Sequence, residues 1–307
     1  RGAGTLLLNV KGQRIVLVTA EFDGGVQETL SFLTDVLRMK GGKEQRLALR
    51  TNPRQIFDVT LRLEGLDRQR LMAMLMDWQH RMFALPLWHD PMELTAAVTS
   101  GDTTITVDST TDVDVRVGGF AAVYHDARTF DVLRITAKTS TTISFDASLA
   151  NSYPIGTRVL PIRLTQARPR ITGTRWPVNM VDIRARFHVV DNDTGAPTPS
   201  TTGWSTYSGK VLLDDPNLMS SSSVQESFDK ELWVVDNETG KVYQTSPWEI
   251  NKHGFEKGWF TQSRAELMKV RRLLLSLRGR QKSFHIPTFI EDLTPTAGLA
   301  NGANTMF

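Results

Sequence analysis

Displaced by about two hundred residues, the chain overlays itself, and a fixed long displacement of this kind marks a duplicated domain. Val26-Gln27-Glu28-Thr29 recurs as Val224-Gln225-Glu226-Ser227, 198 residues on (26 to 224). The same displacement carries Gly42-Lys43 onto Gly240-Lys241 and Phe57 onto Phe255. After a slip of three residues (83 to 284), Phe83, Leu85 and Pro86 fall on Phe284, Ile286 and Pro287. Asp90, Thr95-Ala96 and Gly101 then meet Glu291, Thr296-Ala297 and Gly302. The match runs through strand-like, turn-like and helix-like stretches, so each element of copy one predicts a counterpart in copy two. Two copies in one chain form a pseudo-symmetric building block, since duplicated domains can pack as neighbouring subunits do.

The repeating unit is strand, helix, strand. In copy one, Arg14–Val18 and Gln45–Arg50 are strand-like, with a turn signal at Asn52-Pro53. Phe57, Val59, Leu61 and Leu63 alternate with Asp58, Thr60, Arg62 and Glu64, the period of a strand with one buried face. A helix follows, with Asp67 as expected N-cap and Leu71, Met74, Leu75, Trp78 and Met82 on one stripe. A short apolar strand, Phe83–Leu87, ends the unit. Copy two predicts a hairpin at Trp233–Val235 and Lys241–Tyr243 around Asp236-Asn237-Glu238-Thr239-Gly240. Ser263 and Glu266 form a capping box ahead of Leu267, Val270, Leu274 and Leu277. Gly279 stands where a C-cap glycine belongs, after Arg271, Arg272 and Arg278, and Phe284–Phe289 is the closing strand.

Between Ala97 and Leu164 the texture changes. Short β-branched runs at Thr103–Val107, Phe120–Tyr124, Phe130–Ile135, Thr142–Phe145 and Arg158–Pro161 predict a small barrel inserted into copy one. Val181, Ile183, Ala185, Phe187 and Val189 then alternate with Asp182, Arg184, Arg186 and His188, a strand expected to pair back into copy one. The fold class is therefore mainly β with α. Residues 1–96 with 165–191 form a discontinuous first domain, 97–164 the inserted barrel, 192–209 a linker and 210–307 the second domain. Ser220–Ser223 reads as a polar loop. Copy two stops at Phe307, where copy one passes into its insert, so the sequence is read as part of a longer protein with a closing strand still to come.

Composition is that of an ordinary soluble globular chain, at 307 residues, 40% hydrophobic and 22% charged. A net charge of +3 and a pI of about 9.2 are modest for a nucleic-acid binder, and the basic residues are scattered. With no cysteine, disulfides, thiolate metal sites and thiol catalysis are excluded. No stretch reaches the roughly 18 apolar residues of a membrane helix.

Chemistry-bearing motifs are weak. Asp191-Asn192-Asp193-Thr194-Gly195 and Asp236–Gly240 begin like calcium loops but lack the later bidentate Glu, and read as turns. Trp88-His89-Asp90 joins a histidine to a carboxylate, yet copy two offers Ile290 in its place. His80, His125, His188, His253 and His285 show no ligand spacing, and Gly41-Gly42-Lys43 is a hairpin-like turn. Trp248, Phe255, Trp259 and Phe260 read as core or inter-subunit packing, with Trp248 and Ile250 alternating as in a strand. Arg264, Lys269, Arg271 and Arg272 give a basic helix face, solvated or facing an acidic neighbouring subunit. No catalytic, cofactor-binding or metal residue is assigned, and no enzyme is expected.

Duplicated strand-and-helix units, a barrel inserted after the post-helix strand, and Phe284-His285-Ile286-Pro287 leading to Glu291-Asp292-Leu293 resemble tail-tip proteins of long-tailed bacteriophages. The likeness is to the distal tail and baseplate-hub group. It implies tail-tube-like β-sandwich or split-barrel domains, each with a flanking helix, arranged in a ring around the DNA channel. It also implies a virion location in the tail, assembly in the host cytoplasm, and a tail-tube protein and other tail-tip proteins as partners, with DNA only as passing cargo. Two copies per chain favour a trimer over a hexamer. The competing expectation is a receptor- or carbohydrate-binding module, in which the inserted barrel grips a glycan. It calls for exposed aromatics on one barrel face, and the segment holds only Phe120, Tyr124, Phe130, Phe145 and Tyr153, most on alternating strand positions.

Overall fold

The computed structural model describes residues 7–10, 13–18, 21–39, 43–176, 179–192, 194–214, 225–236, 238–248, 251–256, 258 and 260–287. It is mainly β, with two helices among the described residues. The first copy supplies β1 (Leu7–Val10), β2 (Gln13–Leu17), β3 (Gln27–Ser31), β4 (Thr34–Arg38), β5 (Glu44–Ala48), β6 (Arg54–Glu64), α1 (Gly65–Trp78) and β7 (Met82–Pro86). Next come β8 (Met92–Glu93), β9 (Thr104–Thr106), β10 (Phe120–Tyr124), β11 (Phe130–Lys138), β12 (Thr142–Phe145) and β13 (Arg158–Ala167). β14 (Thr172–Arg175) and β15 (Met180–Val189) return to the first copy. The remainder holds β16 (Ser205–Tyr207), β17 (Lys210–Leu212), β18 (Gln225–Asp229), β19 (Trp233–Asp236), β20 (Val242–Thr245), β21 (Lys252–Glu256) and α2 (Arg264–Leu277). Two compact units divide the chain: the first comprises 1–37, 45–200 and 263–282, the second 38–44, 201–262 and 283–307.

The first unit is organised on the antiparallel pair β6–β15. Its register sets Phe57 opposite Phe187, Val59 opposite Ala185, Leu61 opposite Ile183 and Leu63 opposite Val181. All eight side chains are buried in one core, because the two period-2 patterns point to the same face. The opposite face is ionic: Arg62 pairs with Asp182 at 2.8 Å, and Arg186 with Asp58. Leu71 of α1 is buried against the apolar face. The helix begins directly on the end of β6, with Glu64 at the N-cap and no side-chain cap. Asp67 therefore lies inside the first turn, where its charge favours the helix dipole, and is not the N-cap that its residue type suggests.

All five strand runs of the insert form. The circuit β13–β10–β11–β12–β9 closes through the Leu94–Val107 bridge and the β8–β13 pair, giving a small barrel around Ile105, Ile143, Phe145 and Tyr153. The barrel is not self-contained, however. β13 runs on to Ala167, so the expected boundary at residue 164 falls within a strand. Its first half pairs with β10 (Phe120 opposite Ile162), its second half with β7 (Leu85 opposite Arg163), and its end with β15 (Thr165 opposite Val189). Val159 through Thr165 are buried without interruption because both faces of β13 are covered. A third core of Leu17, Ala84, Ala122, Leu160 and Ile162 fuses barrel and parent sheet.

The second unit repeats the first copy's pairings. β3–β6 sets Glu28 opposite Phe57, and β18–β21 sets Glu226 opposite Phe255, a displacement of 198 on both strands (28 to 226, 57 to 255). The hairpin β4–β5 answers to β19–β20. β2 pairs in parallel with β7, and Leu212 of β17 bridges His285 in parallel. Of the expected closing strand Phe284–Phe289, only that bridge is seen, and 288 and 289 lie outside the described residues. Ser220–Ser223 lie outside them as well.

One expected correspondence is corrected. The second domain, read as 210–307, does not keep its helix: α2 follows β21 in the chain as α1 follows β6, yet it belongs to the first unit. Two things hold it there. Met268, Leu273, Leu275 and Leu277 are buried within that unit, whereas Leu267 and Leu274 of the expected stripe are exposed, and its basic residues meet that unit's carboxylates. The Ser263 hydroxyl accepts from Glu266 N at 3.2 Å, the capping contact its sequence pattern predicts. At the other end the left-handed C-cap is Arg278, with Gly279 also left-handed. A Cβ on Gly279 would stand 2.7 Å from Phe32 Cβ, so close approach as well as φ requires glycine there.

Candidate functional site: a buried charge cluster

The densest polar chemistry of the first unit lies where the barrel, the sheet and α2 meet. Asp114 and Arg116 come from the β9–β10 connection, Arg163 from β13, Gln55 from β6, Glu28 from β3 and Arg271 from α2. Arg163, 1% exposed, reaches the Asp114 carboxylate at 2.6 Å and donates to the Asp114 carbonyl at 2.5 Å. Arg116 grips both Asp114 oxygens, Nε to Oδ1 at 3.0 Å and Nη2 to Oδ2 at 3.1 Å, and donates to Gln55 Oε1 at 3.2 Å. Arg271 pairs with Glu28 and lies 3.5 Å from Asp114. Asp90 accepts from Asp114 N at 3.0 Å and pairs with Arg264 at 3.6 Å, while Arg272 faces Asp112 at 3.8 Å.

Burial by itself would raise the Asp114 carboxyl, but the fields of Arg163, Arg116 and Arg271 outweigh it and hold the group far below the usual carboxylate range. Burial lowers the Arg163 guanidinium, with Asp114 opposing. Around Arg271 burial is likewise unfavourable, but Glu28 and Asp114 overcome it and raise the group. Asp191, nearby, is raised by burial, and Arg163 and Arg116 offset this only partly.

A carboxylate held ionised this firmly, with both oxygens engaged by guanidinium groups, is a poor general base near neutrality. The Asp114 carboxylate is hydrogen-bonded and ion-paired, among the described residues, to arginines and to no Ser, Thr or Lys. Among the described residues no group of three or more His, Asp or Glu is disposed to hold a metal ion. What the cluster does is mechanical: one anion ties the β9–β10 connection, β13 and α2 together.

The residues singled out from sequence are dispersed. His89 approaches Phe22 and Phe57 with ring centroids 6.3 and 6.0 Å away, and Asp90 serves the cluster. His253 stacks on Phe228 at 4.5 Å, and His285 meets Tyr207 edge-on. His188 accepts from Arg168 Nε at 2.9 Å. The Asp236 carboxylate accepts from Glu238 N at 2.9 Å, and Asn192 accepts from Gln55 N and donates to Val189 O, so these two residues of the calcium-like stretches make turn and backbone contacts. Asp193 and Asn237 lie outside the described residues. Trp248 is not in a strand and lies 4.8 Å from Lys252 Nζ; Ile250 and Trp259 are outside the described residues, and Phe260 is exposed. The basic face of α2 is not simply solvated, since Arg264, Arg271 and Arg272 each meet a carboxylate. Sequence reasoning passed over Asp114, Arg116 and Arg163. Arg163 did leave a signal, a lone cation inside the apolar run Val159–Leu164.

A different surface stands out by exposure. On β19–β20, Trp233, Val234, Val235, Val242 and Tyr243 are each about half exposed or more, at 49–64%. Neighbouring positions in a strand point to opposite faces, so both faces of this hairpin are apolar and uncovered. The equivalent hairpin exposes Leu37 and Leu47. Comparison with protein-family models and with curated proteins finds no match to this chain.

No helix among the described residues is long and apolar enough to cross a membrane.

Proposed function

We propose that the chain is a structural protein of the distal end of a long-tailed phage tail, forming a ring that joins the tail tube to the hub or fibre apparatus around the DNA channel. In this reading the two copies are tail-tube-like domains, and three chains supply six similar contacts. The observation that supports it is the hairpin present in both copies: β19–β20 is apolar and exposed on both faces, and β4–β5 exposes Leu37 and Leu47. A two-stranded ribbon alone is marginally stable in water, and apolar residues on both faces call for covering by a neighbour. A closed ring does this for every copy at once, since a heterologous contact that closes leaves no hairpin unpaired. An assembly of this kind buries upwards of roughly 2,000 Å² per interface.

The test is oligomeric state. Sedimentation of the purified chain is expected to give trimers, and Val235→Lys with Tyr243→Lys to give monomers with unchanged circular dichroism. A monomer at micromolar concentration for the unaltered chain, or trimers indifferent to both lysines, would overturn the proposal. The receptor-binding reading gains nothing comparable: Phe145 and Tyr153 are core residues of the barrel, and Phe120, Tyr124 and Phe130 are half-buried.

A further inference from the structure

On the same edge of β15 as the β13 pairing but toward the other end of the strand, α1 and β14 enclose an open groove of about 570 Å³. Its floor is Ile171, Gly173, Val181 and Ile183, and one wall is Met72, Leu75 and Met76 of α1. Arg68, Arg170 and Arg175 stand around it, and the lining contains no carboxylate. Gln79 holds the groove's end by donating to the carbonyls of Arg168 and Pro169, at 3.1 and 2.7 Å.

Three features here have no use in the fold itself. Met76 is 83% exposed although the stripe beside it is core-facing. Among the described residues Arg170 and Arg175 make no ion pair, and with no carboxylate in the lining their charges face the groove uncompensated. β14 pairs with β15 alone, so every second residue of Thr172–Arg175 turns its N–H and C=O away from the sheet. Gly173 is what opens the space. It faces the same side as Val181 and Ile183, and its backbone is not left-handed, so no conformational demand calls for glycine.

We propose that this groove binds an extended acidic–apolar peptide segment of a partner protein. Apolar side chains of the segment enter between the methionines and the gap at Gly173, its carboxylates meet Arg170 and Arg175, and its backbone adds to the open edge of β14. Methionine suits such a wall because its unbranched side chain adapts to different apolar shapes. The proposal does not rest on the ring, since the groove lies within one unit and its occupation is read whatever the oligomeric state.

The probe is a randomised octapeptide library displayed against the full chain, followed by fluorescence polarisation of the enriched sequence bearing a fluorescein label. Enrichment of peptides alternating apolar residues with Asp or Glu is expected. Binding should weaken about tenfold when the acids are replaced by lysine, and similarly for the charge-reversed double variant Arg170→Glu, Arg175→Glu. A Cβ at Gly173 meets its neighbours at 3.4–3.5 Å, so Gly173→Val is accommodated and its methyl groups fill the gap. That variant should abolish binding while leaving thermal unfolding near wild type. Should it unfold, the arginine variant carries the test alone. No enrichment, enrichment of basic peptides, or binding unchanged in both variants overturns the proposal. So does saturable binding of sodium laurate in place of any peptide, which would make the groove a lipid site.

Discussion

Removing the charge of Asp114 tests the central claim about the cluster. Asp114→Asn keeps the side-chain shape but leaves Arg163, 1% exposed, and Arg116, 6% exposed, without their anion, and weakens the hold on Arg271. Taking one partner from a buried ion pair costs about 3–5 kcal/mol, because the remaining charge stays desolvated. In a unit of this size each kcal/mol moves Tm by roughly 2–4 °C, so a fall of roughly 6–20 °C is expected by calorimetry. The pH dependence sharpens the test. The folded carboxyl lies far below its unfolded value near 3.9, so its contribution is fully present above about pH 4. It is lost only as pH falls from there toward the folded value, while the unfolded chain takes up the proton first. The gap between wild type and variant should therefore be constant from neutrality to about pH 5 and shrink in stronger acid. A Tm within about 2 °C of wild type at neutral pH would refute the argument, since it would mean that the three guanidinium groups had found other partners or water.

Asp191→Asn should act in the opposite sense: burial raises this carboxyl, so its ionised form opposes folding at neutral pH. The variant is expected to raise Tm by a few degrees at pH 7, with the gain gone below about pH 4, where both states are protonated in the wild type. Ser263→Ala removes the hydroxyl that accepts from Glu266 N and should cost about 1 kcal/mol in denaturant unfolding. Gly279→Val meets both a φ of 67° and the 2.7 Å approach to Phe32, and should cost on the order of 2 kcal/mol or more, read as a lowered urea midpoint.

Much of this fold can be read from the sequence wherever one periodicity settles one partner. Phe57–Leu63 and Val181–Val189 each alternate with period 2, and that alone puts both on the same face of one sheet. Displacement by 198 residues anticipates the Glu226–Phe255 pairing from the Glu28–Phe57 pairing, because local turn chemistry repeats with it. The location of α2 was not legible. Its capping pattern specifies a helix, but its expected stripe leaves Leu267 and Leu274 exposed, because the side it buries is set by carboxylates more than 150 residues away in the chain, Asp114 and Glu28. Nor was the reach of β13 legible. The run Val159–Leu164 has no period to divide it, so a strand covered on both faces hides the point where one pairing partner gives way to the next. Arg163 stands in the sequence as a lone cation in an apolar run, and only the position of Asp114 gives it a meaning.

That shared strand has a mechanical consequence. At about 3.3 Å per residue, the ten residues of β13 make a rod roughly 33 Å long, bonded along one half to the barrel and along the other to the parent sheet. A torque applied to the barrel cannot be relieved by swinging about this connection, because any rotation shears ladders on both halves together. Excising 97–164 would take Ile162, Arg163 and Leu164 from β7 and strip Asp114 from the cluster, so the barrel is not a cassette that a short linker could replace. A load arriving at the barrel is delivered lengthwise into the sheet, with the hydrogen bonds resisting as a row and not one at a time.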